Sequence, residues 1–325
     1  MSIRIGIAGY GNLGRGVELA VHNSQDMTLT GIFTRRDPKT ITPLFEDSPV
    51  RAWSELAGGR DDVDVLILCG GSKTDLPQQG PELAKDFHTV DSYDTHAEVP
   101  QYFASVDAVA QPAGNVALIS TGWDPGLFSI NRVMAEAVVP IGGTYTFWGR
   151  GLSQGHSDAV RRVPGVADGV QYTIPAEQVL DQVRAGDEPE LSAAQRHRRE
   201  CFIVLEDGAD EDTVVSEIKN MPHYFEPYET DVHVISADEL ARNHREMPHG
   251  GTVLRSGSTA DHDQVVEYSL RLGHNPEFTA SVLTAYARAV HRLAQKGEKG
   301  AHTVFDIPPG LISPLSPETL RAEYL

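Results

Sequence analysis

The segment from Ile3 to Arg36 limits the possible folds more than any other stretch of the chain. An apolar run, Ile3-Arg4-Ile5-Gly6-Ile7-Ala8, leads into Gly9-Tyr10-Gly11-Asn12-Leu13-Gly14-Arg15 and then a helical run to His22. Extended sequence returns at Met27-Thr28-Leu29-Thr30-Gly31-Ile32-Phe33. Strand, glycine turn, helix and strand thus follow one another within one βαβ length. Gly9 permits a sharp turn, Gly11 lets backbone approach a pyrophosphate with no Cβ in the way, and Gly14 lets the helix pack closely on the strand. The free N–H groups of the helix N-terminus then face the phosphates. A G-x-G-x-x-G alone is a weak signal; its place after an apolar strand and before a helix gives it weight.

The end of the second strand selects the cofactor. Units that prefer NAD place Asp or Glu there, about 20 residues past the glycines. Thr34-Arg35-Arg36 offers a hydroxyl and two guanidiniums instead, groups suited to a 2′-phosphate. The alternative leaves both arginines in solvent and gives the ribose to Asp37. We read an NADP-binding Rossmann domain, with Gly9, Tyr10, Gly11, Asn12, Leu13, Gly14, Thr34, Arg35 and Arg36 as cofactor contacts.

Further apolar strands follow. Val63 to Leu68 ends at Cys69-Gly70-Gly71-Ser72, Thr89-Val90-Asp91-Ser92-Tyr93-Asp94 reads as the next strand and its exit loop, and Asn115 to Ser120 opens into Thr121-Gly122-Trp123-Asp124-Pro125-Gly126. A parallel sheet binds its ligand beyond the C-terminal ends of its strands, so Cys69 to Ser72, Ser92 to Asp94 and Thr121 to Pro125 join the cofactor contacts. Five strands with crossovers, one through a helix at about Pro100 to Ala113, predict an α/β doubly wound parallel sheet.

After a helix near Leu127 to Ala137 the strand-like segments become longer and more amphipathic: Thr144 to Trp148, Gly169 to Ile174, Arg196 to Leu205, Thr230 to Ile235, Thr252 to Ser256 and Gln264 to Leu272. They predict a second, α+β domain with a mixed or antiparallel sheet, for substrate binding and dimerisation. The helix Pro276 to Gln295 is expected to return to the first domain. The expected division is therefore 1–120 with 276–325 for the dinucleotide, and 121–275 for the substrate.

Composition bounds the partners. The 325 residues carry a formal charge of −19, which argues against nucleic-acid or anionic-membrane binding. A phosphorylated cofactor then needs a local basic patch, which Arg35 and Arg36 supply. The two cysteines, Cys69 and Cys201, each adjoin an apolar run and read as buried reduced thiols of a cytoplasmic protein. No long apolar span or signal peptide is evident.

Several patterns in the second half compete for the chemistry. Gly151-Leu152-Ser153-Gln154-Gly155 formally matches the G-x-S-x-G nucleophile elbow, but a hydrolase needs that turn atop its parallel sheet. A substrate loop of Ser153, Gln154 and Gly155 is the preferred reading. Neither cysteine has a catalytic flank. None of the thirteen histidines forms H-x-x-x-H or H-E-x-x-H, so no metal site is expected. His249 reads as an exposed turn residue able to bind a carboxylate, and the remaining histidines as surface or capping groups. What remains is a polar set expected on loops: Asp94, Asp124, Trp148, Thr173, Arg199, His249 and Asn275. Asp94 and Asp124 stand out because both follow parallel strands, where two carboxylates could hold an ammonium group or take its proton.

The runs Gly9 to Arg15, Ser120-Thr121-Gly122-Trp123-Asp124-Pro125-Gly126, Phe147-Trp148-Gly149, Gly151 to Asp158, Met247-Pro248-His249-Gly250-Gly251 and Asn275 to Ser281 resemble the meso-diaminopimelate dehydrogenase family, most closely its corynebacterial-type, homodimeric members. The similarity covers nearly the whole chain and keeps the same order. It implies NADP-dependent oxidative deamination at the D-centre of meso-diaminopimelate to L-2-amino-6-oxopimelate and ammonia, in lysine biosynthesis. It further implies that Asp94 and Asp124 contact the D-amino group and act in catalysis, and that Trp148 lines the pocket. Thr173, Arg199 and His249 would bind the distal L-carboxylate, and Asn275 would make a further contact.

These implied roles agree with the chemistry. The amine must lose a proton before hydride leaves its carbon, and an adjacent carboxylate is a suitable base. An arginine fork with a hydroxyl and an imidazole makes a carboxylate clamp. Arg150 is a departure, standing where the family pattern has proline, and it raises the question of charge near the substrate. The rivals are another NADP-linked reductase of this fold and a non-catalytic NADP sensor.

Overall fold

A computed structural model describes residues 2–222 and 224–325; Met1 and His223 lie outside it. In chain order the strands begin with β1 (Ile3–Ala8), β2 (Met27–Thr34), β3 (Val50–Ala52), β4 (Val65–Leu68), β5 (Thr89–Asp91) and β6 (Val116–Leu118). They continue with β7 (Ile141–Trp148), β8 (Gly151–Leu152), β9 (Val166–Pro175) and β10 (His197–Leu205). The last are β11 (Thr230–Val234), β12 (His249–Ser258), β13 (Asp263–Leu272) and β14 (Gly300–His302). The chain forms two compact units, residues 1–130 with 276–325, and residues 131–275. The division falls inside the helix Leu127–Val138, beyond the expected point at 120.

The first unit is built on a sheet of order β14-β6-β5-β4-β1-β2-β3, parallel throughout. Val65-Leu66-Ile67-Leu68 is buried at every position, as a strand covered on both faces must be. Side-chain alternation splits that run between two cores. Val65 and Ile67 join Ile5, Ile7, Val90 and Leu118 on the face covered by the helices Asn12–His22 and Asn275–Gln295. Leu66 and Leu68 join Phe33, Tyr102 and Val106 on the face covered by Leu76–Leu83 and Val99–Ala113.

The long helix Asn275–Gln295 is thus an integral layer of the first unit. Gly16 lets it come close: a Cβ there would sit 2.7 Å from the Ala280 Cβ. Arg288, 5% exposed, pins the same helix through two bonds to Asp26 at 2.5 and 2.8 Å, and donates to the Ile312 carbonyl.

Two of the seven strands were not expected from sequence. β3 and β14 are three-residue edges, pairing Ile32 with Val50 and Val116 with Gly300. A strand that short shows no period-2 signal, and an edge needs burial on fewer sides.

The second unit holds a mixed sheet, β11-β10-β9-β8, and an antiparallel sheet, β13-β12-β7. Along β10 burial alternates strictly at first: His197, Arg199, Cys201 and Ile203 are buried, while Arg198, Glu200 and Phe202 are partly so. Cys201 and Ile203 pack with Val160, Val214 and Ile218 of the helices Gln154–Arg161 and Glu211–Lys219. The opposite face carries Phe202 and Val204 against Tyr172 and Leu240.

Candidate active site

The C-terminal edge of the parallel sheet gathers the loops expected to meet the cofactor. Gly9 adopts φ +98°, a conformation natural to glycine, and a Cβ on Gly14 would lie 2.4 Å from the Gly9 carbonyl oxygen. Gly14 therefore lets the helix start against the strand exit, while Gly16 makes the close helix–helix contact. Around Gly11 the reverse holds: a Cβ would meet nothing within 4 Å. No side chain caps the helix that starts at Asn12, and its first turn carries no acid. The N–H groups of that first turn face the place an anion would take, and the turn fits a dinucleotide pyrophosphate.

The basic groups stand beside this turn. The Arg36 guanidinium donates to the Tyr10 carbonyl, and its amide donates to Thr34 Oγ1 at 3.1 Å. Arg35 pairs with Asp75 at 2.8 Å and lies over the Trp53 ring. Tyr10 turns its phenol inward to the buried Glu18, leaving its backbone at the turn. Leu13 packs on the core beneath.

The other loops are tied to one another. Cys69 donates its amide to Ala8, and Gly71 donates to Asp75 Oδ2. The Ser72 hydroxyl accepts from the Asp94 amide at 2.9 Å. The exposed Asp94 follows Ser92 and Tyr93, and the half-buried Asp124 sits in a turn that includes Thr121, Gly122, Trp123 and Pro125. Leu127 N–H closes that turn on the Gly122 carbonyl.

In the second unit three polar side chains converge on one face. Thr173 on β9 and Arg199 on β10 are direct cross-strand partners, and the guanidinium donates to Thr173 Oγ1. Gly151 lies opposite Thr173 on the other side, and the His249 ring occupies the space its Cβ would take. Arg199 is 7% exposed and lies 4.1 Å from the centre of the Tyr228 ring. Burial lowers its affinity for its proton, with Tyr228 opposing. Among the described residues no carboxylate pairs with it, and its Nε lacks a hydrogen-bond partner. A buried cation without a counter-ion is costly, so this face suits an incoming carboxylate.

Trp148 ends β7 beside that face. Its N–H donates to His197 Nε2 at 2.8 Å, and the two rings stack at 5.2 Å. Asn275 begins the long helix and donates its amide to the Met247 carbonyl. Gln154 is exposed and reaches the Met247 sulfur, and a Cβ on Gly155 would meet nothing within 4 Å.

Several expectations are corrected. Trp148, Thr173, Arg199 and His249 lie on strands and Asn275 on a helix, so only Asp94 and Asp124 of the polar set are on loops. His249 is a half-buried strand residue rather than an exposed turn. His197 is 4% exposed and is no surface group; burial lowers it to about 4, which leaves Nε2 free to accept. Its spacing of two from Arg199 on a strand was the available signal. Ser153 follows an antiparallel strand at an unstrained φ of −94°, and its hydroxyl bonds His156 Nδ1. The His156 ring packs edge-on to Tyr224 and Phe225, and among the described residues no carboxylate acts on it, so Ser153 and His156 form no triad.

Arg150 ion-pairs with Glu200 and lies over the Tyr172 ring. Tyr172 and Glu200 alternate with Thr173 and Arg199, so this charge sits on the sheet face opposite the clamp. Cys201 is buried as expected while Cys69 is only half-buried; desolvation raises both thiols, which suits neither to nucleophilic work. No group of three His, Cys, Asp or Glu side chains among the described residues is arranged to hold a metal ion.

Residues 122–274 match the family described as the diaminopimelic acid dehydrogenase C-terminal domain. The chain is 58% identical to the meso-diaminopimelate D-dehydrogenase of Ureibacillus thermosphaericus, over 99% of both chains. It superposes on the DAP dehydrogenase of C. glutamicum in complex with DAP with a TM-score of 0.91, at 47% identity over 100% of this chain and 99% of the other. An engineered D-amino acid dehydrogenase bound to NADP+ matches with a TM-score of 0.86 at 45% identity, over 100% of both chains.

Proposed function

The chain belongs to the meso-diaminopimelate D-dehydrogenase family, and on that premise we propose how its residues perform the reaction. It is an oxidoreductase that deaminates the D-centre of meso-2,6-diaminopimelate reversibly with NADP, giving L-2-amino-6-oxopimelate, ammonia and NADPH, a step of lysine biosynthesis. The observation that carries the assignment of roles is Arg199, a buried guanidinium with no carboxylate of the described chain to neutralise it. The distal L-carboxylate of the substrate supplies that charge.

Gly9 to Gly14 hold the pyrophosphate, and Thr34, Arg35 and Arg36 the 2′-phosphate. When bound, the nicotinamide supplies the hydride acceptor. Asp94 and Asp124 accept hydrogen bonds from the D-ammonium, and one of them takes its proton so that nitrogen can drive hydride from carbon. Water then adds to the resulting iminium carbon and ammonia leaves. Thr173, Arg199 and His249 grip the far carboxylate, with Trp148, Ser153, Gln154, Gly155 and Asn275 bounding the substrate. Fixing one end makes chiral choice geometric, because only the D-centre hydrogen is then aimed at the acceptor.

No helix among the described residues is long and apolar enough to cross a membrane. We place the enzyme in the cytoplasm, where its two free thiols stay reduced. We also assign it a homodimer, supported by Val133, Met134, Val138 and Ile141, each more than half exposed in one short run.

The decisive test mixes purified protein with NADP and meso-, LL- or DD-diaminopimelate, or with NAD, and follows NADPH absorbance. Signal with meso but not LL under NADP is expected. Silence with every isomer despite demonstrated NADPH binding would overturn the reading.

A further inference from the structure

Asp91 ends β5 at a position buried on both faces, 1% exposed and paired in register with Leu68. An apolar residue would suit such a place better, since a buried carboxyl must be fully hydrogen-bonded to be tolerated. The partners here are specific. Oδ1 accepts from the amides of Tyr93 at 2.9 Å and Ser120 at 3.1 Å, while Oδ2 accepts from the Tyr102 hydroxyl at 2.7 Å. The Asp91 backbone carbonyl accepts from Thr121 N–H at 2.8 Å.

Tyr93 immediately precedes Asp94, and Ser120 and Thr121 lead into the turn that carries Asp124. That turn is wound by its own bonds, Leu127 N–H to the Gly122 carbonyl and Phe128 N–H to the Trp123 carbonyl. A shift at Ser120 therefore carries Asp124 with it. Ser120 also adopts φ +54°, a conformation a serine holds only when its surroundings impose it. The amide of this same residue is the one that donates to Asp91 Oδ1.

We propose that Asp91 is a positioning residue for the deamination, its buried carboxyl clamping together the two loops whose aspartates meet the reacting amine. This rests on the roles assigned above to Asp94 and Asp124. Burial pushes Asp91 up to about 6 despite its three hydrogen bonds. The clamp needs no negative charge: a neutral amide offers the same oxygen to both N–H groups, and its NH2 can donate to the Tyr102 oxygen.

The experiment compares wild-type enzyme with Asp91→Asn, Asp91→Leu and Tyr102→Phe, measuring kcat, both KM values and the isotope effect for substrate deuterated at the D-centre. Asp91→Asn is expected to keep kcat within about threefold. Asp91→Leu should lose about 100-fold in kcat, the scale of a misplacement near 1 Å, with a larger isotope effect and a much smaller rise in KM for NADP, because the turn from Gly9 to Gly14 is not displaced. Should Asp91→Leu fail to fold, Tyr102→Phe carries the test: about a tenfold loss of kcat is expected on the same grounds, in a protein that still unfolds cooperatively although at a lower temperature, since Oδ2 loses its partner. Wild-type kcat in a folded Asp91→Leu protein, wild-type kcat in Tyr102→Phe, or an Asn variant as impaired as Leu would overturn the inference. Inactivity of the wild-type enzyme with every isomer would instead overturn the functional reading, and this inference with it.

Discussion

The imidazole of His249 fills the space that a side chain on Gly151 would need: the ideal Cβ position lies 2.5 Å from its Cγ and Nδ1. Glycine at 151 is thus a condition for the clamp on the neighbouring Thr173 and Arg199. Gly151→Ala is expected to displace the ring and raise KM for diaminopimelate by about tenfold, the worth of one charge-assisted hydrogen bond, with KM for NADP unchanged. Steady-state kinetics in both substrates check this.

Arg199 should be the most demanding clamp residue. Arg199→Met removes the charge proposed to receive the carboxylate, and kcat/KM for diaminopimelate should fall by about 100-fold or more. Arg199→Lys keeps charge but loses the planar fork, and should recover only part of the loss. Equal activity of the Met variant and the wild type would remove Arg199 from the substrate site.

On the proposed assignment, Arg35 and Arg36 set the cofactor preference. Replacing both by Ala should raise KM for NADP by roughly 10- to 100-fold, since each guanidinium would lose a charge-assisted contact with a phosphate. NAD turnover should stay within about threefold, because NAD has no 2′-phosphate to lose. Parallel assays with the two cofactors decide the matter.

Stability should fall on mild acidification. Burial lowers His156 and His197 to about 4, and lowers His88, His244 and His291 as well. Between there and about 6.5 the unfolded chain binds more protons than the folded one, so unfolding is favoured as pH drops. Asp91, raised to about 6, has the opposite sign, since its folded state holds a proton that the unfolded chain releases down to the ordinary carboxylate range. The histidines outnumber it. Urea midpoints are expected to be lower at about pH 5 than at about pH 7. His197→Gln, which still offers an acceptor to the Trp148 amide, should lessen the difference.

Arg150 should matter little to catalysis. Its guanidinium lies with Glu200 and Tyr172 on the face away from Thr173 and Arg199. Arg150→Ala is expected to leave KM for diaminopimelate within about twofold, and to cost less than about 1 kcal/mol of stability for a half-exposed ion pair. A large rise in KM would show that its charge reaches the substrate.

The nucleotide unit was largely legible because its information is local. Gly9, Gly11 and Gly14 specify a turn, and Val65 to Leu68 specify a strand covered twice. The clamp was legible only as a set of residue types. Thr173 and Arg199 lay inside strands recognised from their patterning, yet nothing local states that these two residues oppose each other. Register is fixed by pairing across the chain and by packing on each face. The same reason hides Gly151 under His249. Asp91 carried a signal that went unread, a carboxyl ending a run whose other members belong to a two-sided core.

The helix Asn275–Gln295 also bears on how the protein is made. One face of the nucleotide sheet, with Ile5, Ile7 and Ile67, receives Leu283 and Val290 from a segment that follows residues 131–275 in the chain. At about 5–20 residues per second of synthesis, that segment leaves the ribosome on the order of ten seconds after the first 130 residues. During that interval the part of this face that the long helix will cover, beside the helix Asn12–His22, is left bare. The interrupted order of the chain thus makes the nucleotide-binding half, whose first strands are synthesised earliest, a latecomer to its finished state.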